Sequence, residues 1–227
     1  MTIKERIPII QVSHLNVKYQ ETTVIQDLSF TVYQGECVGI LGSSGKGKTT
    51  LLNVLTGLKK EWTGSILIKG VPLKDIPKKT LFKWQQVIMQ NPVITLHPYL
   101  TIAENVWPQF TIEKIITRLW QQSNQTYQRK INNIFKMLDL DPSILSLYPH
   151  QLSGGQCQRV VIAIAAGLTH TPEILYLDEP TSALDISVQA EILNLLKDIQ
   201  TQKNLTYLLI SHDPDVLNFM CHRTVSL

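Results

Sequence analysis

The chain has 227 residues, 44% of them hydrophobic, and a formal net charge of +3. This length suits one large domain, or one domain with a lobe inserted in it, and the apolar content excludes wholesale disorder. So mild a positive charge gives no indication of nucleic acid as a partner.

The opening MTIKERIPIIQV lacks the long apolar run of a secretory leader. No run elsewhere reaches membrane-spanning length, so work at a membrane requires other chains to hold this one there. Short strands are predicted over residues 7–12 and 28–33, with the polar residues 19–23 between them read as a turn. ECVGIL at 36–41 is short, apolar and β-branched, as a buried parallel strand should be. A glycine-rich turn follows, then a helix from Thr50 that stops at Gly57 and a strand over 63–70. From about residue 92 to 150 the texture changes. Pro92, Pro98 and Pro108 precede a segment with Ile131, Ile134, Phe135 and Leu138 at helical spacing, which predicts a mostly helical lobe. Residues 155–168 read as an apolar helix, 174–180 as a strand stopped by proline, 187–202 as an amphipathic helix and 206–211 as a last core strand. Alternating strands and helices predict an α/β fold with a mainly parallel core sheet.

Residues 42–49 carry the pattern GxxxxGK[ST]: Gly42, Ser43, Ser44, Gly45, Lys46, Gly47, Lys48 and Thr49. An apolar strand precedes it and a helix, with Thr50 in its first turn, follows it. Glycines let the backbone turn tightly and aim successive N–H groups at phosphate oxygens, and the helix N-terminus adds partial positive charge. Lys48 is placed to reach the β- and γ-phosphates and the Thr49 hydroxyl to ligate Mg²⁺. Lys46 is an additional cation directed to solvent. The reading is therefore binding of a nucleotide with Mg²⁺. A second feature supports it: ILYLDE at 174–179 emits two acids from a core strand. The carboxyl end of such a strand faces the ligand crevice of an open α/β sheet. Asp178 is assigned to Mg²⁺ through water, and Glu179 to polarising the attacking water.

Three further stretches resemble the ABC-type ATPases. Leu152, Ser153, Gly154, Gly155 and Gln156 look like the signature sequence, Ser182, Ala183, Leu184 and Asp185 resemble the D-loop, and His212 resembles the switch histidine. The order matches that family along nearly the whole chain. The resemblance implies a single ABC ATPase domain over 1–227. Its RecA-like core and antiparallel β subdomain would be built from 1–91 and 151–227, with a helical subdomain at about 92–150. It also implies a head-to-tail dimer in which the signature of one copy completes the ATP site of the other, and a γ-phosphate contact for His212. Gln90 looks like the Q-loop glutamine that touches the Mg²⁺ site; Gln85 and Gln86 read as solvated loop amides. Tyr19 lies where the family stacks an aromatic on adenine, although an aromatic there also suits the core.

EPTSALDISVQAEILNLLKDIQ and QNPVITLHPYLTIAENV resemble the oligopeptide/dipeptide/nickel importers. The resemblance implies uptake of peptides, or of nickel or other metal chelates, at the cytoplasmic face of the membrane. The implied partners are a second ATPase subunit, identical or related, two transmembrane permeases and an extracytoplasmic substrate-binding protein, with no nucleic acid. His97 reads as a loop residue facing a membrane subunit rather than as a metal ligand. Rival readings are a soluble ABC ATPase acting on nucleic acid or ribosomes, a P-loop kinase or GTPase, and a silent regulatory partner. The last is disfavoured by Glu179 and His212. Cys37, Cys157 and Cys221 are far apart in sequence and form no CxxC pair, so they read as free buried thiols.

Overall fold

The computed structural model describes residues 6–20, 22–43, 45–106, 129, 132–168 and 172–227. Ser44, Pro108 and Ile131 of the sequence analysis lie outside them. In chain order the strands are β1 (Pro8–Tyr19), β2 (Thr22–Tyr33), β3 (Cys37–Leu41), β4 (Thr63–Ile68), β5 (Val71–Pro72), β6 (Gln85–Ile88), β7 (Ile174–Asp178), β8 (Thr206–Ser211) and β9 (Arg223–Ser226). The helices treated below are α1 (Lys48–Leu55), α2 (Lys78–Trp84), α3 (Pro92–Thr95), α4 (Ile102–Val106), α5 (Gly154–Ala163), α6 (Ile186–Lys203) and α7 (Pro214–Met220). The chain clusters into two units. One comprises Met1–Val87, Pro172–Glu179 and Leu196–Leu227; the other comprises Ile88–Thr171 and Pro180–Leu195.

The first unit holds the two sheets expected of an α/β fold. One has the order β2-β1-β4-β5, and its pairs are antiparallel. The other has the order β6-β7-β8-β3-β9, with β7, β8, β3 and β9 pairing in parallel. β3, β7 and β8 are apolar on both faces and almost wholly buried, as strands covered on two sides must be. The predicted turn at 19–23 is much tighter than expected, because β1 and β2 run 12 residues each and Tyr19 already pairs with Thr22. Polar residues that looked loop-like sit inside these strands at bulges. His14 and Asp27 both have positive φ. The His14 N–H donates to Ser29 Oγ, and Asn16 Oδ1 accepts from the Asp27 N–H. Side chains replace the missing ladder bonds, so the strands continue through the irregularity.

The end of the chain adds α7 and β9, neither of which was anticipated. Asp213 caps α7 by accepting from the Asp215 N–H, with Pro214 in the first turn. β9 pairs with β3, and Arg223 forms an ion pair with Glu36. Gln85 also differs from expectation. It is buried, its amide donates to Leu55 O at 3.0 Å, and its carbonyl accepts from Tyr176 Oη at 2.8 Å. The Gln86 amide donates to Phe82 O within its own turn. Cys37 and Cys157 are buried free thiols, as expected, but Cys221 is half-buried. The Cys37 and Cys221 sulfurs, 184 positions apart in sequence, are 3.5 Å apart in space.

The second unit, in its described residues, is helical. α3, α4, residues 132–137, two 3₁₀ turns (Pro142–Ser146 and Pro149–Gln151), α5 and the start of α6 make it up. Leu96, Ile102, Val106, Phe135, Leu138, Val160 and Val161 are buried in it. The helix expected at 155–168 is α-helical only to Ala163 and then widens into a π turn over Ile164–Leu168. Asn105 pins the His97 segment. Its Oδ1 accepts from the His97 N–H, and its Nδ2 donates to His97 O and Leu100 O.

Gln85 and Tyr176 make a buried polar pair inside an apolar core, which sets up a stability test. Tyr176→Phe leaves the Gln85 carbonyl oxygen without its donor, and should cost about 1–3 kcal/mol by chemical denaturation. An unchanged midpoint would show that the pair contributes nothing.

Candidate functional site

Three parallel strands that are neighbours in the sheet end on the same edge. β3 runs into the loop at Gly42, β8 into His212, and β7 into Asp178 and Glu179. The carboxyl edge of such a sheet is where ligands bind. The loop after β3 is held in shape by backbone conformation. Gly47 has φ +91 and caps α1, and a Cβ there would lie 2.9 Å from a Val24 methyl and 3.0 Å from Val24 O. Any side chain at Gly47 would be strained in backbone and crowded by β2 at once. α1 then begins at Lys48 with no acidic residue in its first turn, so its N-terminal N–H groups and partial positive charge are offered to an external anion.

Lys48 is nearly buried, with its side chain 10% exposed. Its Nζ donates to Gly42 O at 2.8 Å and to Glu179 Oε1 at 2.9 Å. His212 Nδ1 lies 3.0 Å from the same Glu179 oxygen. The two groups differ in access: the Glu179 side chain is 12% exposed and that of His212 is 58% exposed. Glu179 itself sits at φ +46, rare for a residue with a long side chain, while its N–H donates to Ile210 O. Strain at this position marks a side chain whose direction matters more than its backbone comfort.

The two adjacent acids are pushed in opposite directions. Burial raises the Asp178 carboxyl above its ordinary value, and the Glu179 charge adds to that, with Lys48 opposing. At Glu179, burial would also raise the carboxyl, but hydrogen bonds from Lys48 and His212 together with their charges outweigh it and hold it below the ordinary range. No cluster of three or more His, Cys, Asp and Glu able to hold a metal occurs among the described residues. Thr49, exposed in the first turn of α1, and Asp178, at the end of β7, each offer oxygen as the donor atom. Such donors fit Mg²⁺, which takes its remaining ligands from phosphates and water.

Of the other predicted loop residues, Gly42 and Thr50 are buried, Ser43, Gly45 and Lys46 are exposed, and Ser44 lies outside the described residues. A cavity of about 500 Å³ lies beside the loop, lined by Gly45 and Lys46 and by residues 22–26 of β2. Tyr19 stands half-exposed at the end of β1, and Lys59 Nζ is 4.0 Å from its ring centroid. Tyr19 is therefore a surface aromatic and not a core one, with a cation over its ring.

The remaining predicted residues lie in the second unit. Ser153 caps α5: its hydroxyl oxygen accepts from the Gln156 N–H, and Gln156 Oε1 accepts from the Ser153 N–H. Gly155 packs against α6, where an added Cβ would lie 2.8 Å from a Val188 methyl; at Gly154 the nearest atom would be a Leu184 methyl at 3.5 Å. Leu152 is half-buried, as is Leu184, while Ser182, Ala183 and Asp185 are exposed. Gln90 is exposed just beyond β6. Sequence reasoning missed Gln158, fully buried in α5, whose amide donates to Pro180 O at 2.7 Å. Its signal was present in the chain as a glutamine on the apolar face of the helix, two residues beyond the signature.

A sequence profile of the ABC transporter family matches residues 25–182. The chain is 36% identical over 210 residues to the oligopeptide transport ATP-binding protein AppF of Bacillus subtilis (strain 168), covering 91% of this chain and 61% of that protein. It is 33% identical over 236 residues to the oligopeptide transport ATP-binding protein OppF of Haemophilus influenzae, covering 96% and 68%. The chain thus spans roughly two thirds of the length of these relatives. Among solved structures it is similar to cbiO1 from Clostridium perfringens, part of the ABC transporter complex cbiONQ, with TM-score 0.81 and 26% identity over 96% of this chain and 84% of that one. It is also similar to the dimeric bacterial ABC transporter cassette MJ0796, with TM-score 0.78 and 30% identity over 96% and 94%. The same cassette bound to ADP and Pi, in a post-hydrolysis state, matches with TM-score 0.76. Phosphate loop, acidic strand end, signature and fold agree: the chain belongs to the ABC transporter family, in its ATP-binding cassette.

Proposed function

We propose that this chain hydrolyses Mg-ATP as the motor subunit of an importer for peptides. The observation that carries the reading is the meeting of Lys48 and His212 on a single oxygen of Glu179, at 2.9 and 3.0 Å, beside a glycine-shaped anion loop. In this reading the loop amides and Lys48 hold the phosphates, Thr49 and Asp178 would hold Mg²⁺, and the family resemblance assigns Gln90 to the same ion. Bound Mg²⁺ supplies charge neutralisation on the phosphate oxygens. Arrival of the triphosphate draws Lys48 away from Glu179, whose carboxylate is then available to orient water and accept its proton. His212, the most exposed of the three, contacts the γ-phosphate. The adenine lies against Tyr19.

Catalysis is completed across a dimer. Ser153 and the first N–H groups of α5 are presented to the nucleotide of a second ATPase subunit, and residues 182–185 lie with them. The dimeric cassettes similar to this chain support that arrangement. The single-domain organisation is likewise proposed, with residues 1–91 and 151–227 as core and about 92–150 as helical lobe. No helix among the described residues is long and apolar enough to cross a membrane. By similarity to the transporter cassettes, two permease subunits at the cytoplasmic face carry the cargo path, with an extracytoplasmic binding protein delivering it. Ile94 and Tyr99, each more than four-fifths exposed beside His97, offer a surface for a permease. Relatives named for oligopeptide transport favour peptides over nickel or other metal chelates.

The central test is Glu179→Gln. Turnover should fall by about 10²–10⁴-fold while ATP stays bound, and size-exclusion chromatography with ATP should show a trapped dimer. Lys48→Ala should instead abolish nucleotide binding. Normal turnover in Glu179→Gln would remove the proposed base.

A pH prediction follows from the opposed acids. In the nucleotide-free chain, where Lys48 and His212 hold Glu179 down, Asp178, raised by burial, protonates first as the pH falls, so capture of Mg²⁺ should weaken first. Excess Mg²⁺ should then restore activity over the upper part of the acid limb, and should fail to do so further down it, where Glu179 itself is protonated. An acid limb indifferent to Mg²⁺ would contradict this order. The cargo is tested by competition: peptides, and not nickel chelates, should inhibit uptake by the assembled transporter.

A further inference from the structure

A glutamine with zero exposure on the apolar side of α5 is hard to account for by packing. Its neighbours Cys157, Val160, Val161 and Ile162 are all buried, and a leucine would fill the volume without leaving a polar atom behind. Gln158 does leave one: its Oε1 is buried with no partner among the described residues. The amide nitrogen is engaged, donating to Pro180 O at 2.7 Å. Pro180 opens the segment Thr181–Asp185, closed by a bond from the Leu184 N–H to Thr181 O. Proline has no N–H of its own with which to anchor that segment, so its carbonyl is the available handle.

Other contacts tie the same two pieces together. Leu184 lies over Gly154, and Val188 lies so close to Gly155 that no side chain fits there. Arg159, its side chain 15% exposed, pairs with Glu191 at 2.8 Å and donates to Leu138 O. The apolar contacts allow sliding, and the Arg159–Glu191 pair, with the Glu191 side chain 60% exposed, ties α5 to α6 beyond the loop and not to the loop itself, so neither fixes the height of the loop along the helix. A short, directional, buried hydrogen bond does.

We propose that Gln158 is a positioning residue: its bond to Pro180 O sets the loop at 182–185 in register with the Ser153–Gly155 helix tip, so that both meet the opposing subunit's nucleotide as one surface. This rests on the dimeric ATPase reading given above. Gln158 touches no nucleotide, so its loss should spare binding in the phosphate loop and reduce the step that needs the opposing surface.

The test uses Gln158→Leu and the volume-matched Gln158→Met, measuring nucleotide Kd, KM and kcat for each beside the unaltered chain. Nucleotide Kd should stay within about twofold and kcat should fall about tenfold or more, with ATP-driven dimerisation weakened. Gln158→Glu, whose carboxylate oxygen would face the Pro180 carbonyl, should be the most impaired of the three. A kcat within about twofold of the unaltered protein in both neutral variants would overturn the proposal. Loss of nucleotide binding in parallel with turnover in both would also overturn it, since it would mark Gln158 as a fold residue only. If the unaltered chain neither dimerises nor hydrolyses ATP in its assembled transporter, it is the ATPase reading that fails.

Discussion

The arrangement turns on one ammonium group. Lys48 is nearly enclosed and bridges the carbonyl of Gly42, at the mouth of its own loop, and the carboxylate of Glu179 at the end of another strand. A cation so enclosed needs its charge and donors answered, and here it is answered by the two groups that flank the nucleotide position. Loop conformation, strand order and side-chain direction all converge on this contact. β8 lies between β3 and β7, so the bridge passes over its end, where His212 emerges to reach the same oxygen.

Asp178 and Glu179 are consecutive in the chain yet experience different surroundings. Asp178 is the last residue of β7, whereas Glu179 lies just past it at φ +46, so the two side chains take different directions. One is held mainly by burial, the other by a lysine and a histidine. Two acids with diverging proton affinities can divide labour, one as a metal holder and one as a base. The positive φ of Glu179 belongs to the same solution, because it turns the carboxylate back toward Lys48 as the chain leaves the sheet.

The site was more legible than the scaffold around it, for physical reasons. Phosphate recognition depends on backbone freedom at fixed spacing, and glycines at 42, 45 and 47 with a lysine at 48 write that requirement directly into the chain. The core strands at 36–41, 174–180 and 206–211 were equally plain, since strands buried on both faces are continuous apolar runs. What escaped depended on partners distant in sequence. β1 and β2 looked interrupted because their bulges are repaired by His14, Asn16, Asp27 and Ser29 across the ladder. Gln85 looked solvated because its two partners, Leu55 and Tyr176, are 30 and 91 positions away. Cys37 and Cys221 looked unrelated until β9 brought the end of the chain beside β3. α7 carried a legible start in Asp213-Pro214, a capping acid followed by a proline in the first turn.

β9 has a wider significance for handling the protein. By lying along β3, the four residues Arg223–Ser226 occupy the outer hydrogen-bonding side of the strand that supports the phosphate loop. Deleting them would turn β3 from an interior strand into a sheet margin with a row of unanswered amides and carbonyls. Such a margin recruits strands from other molecules. A shortened chain would therefore be prone to self-association and precipitation even with every nucleotide-binding side chain intact.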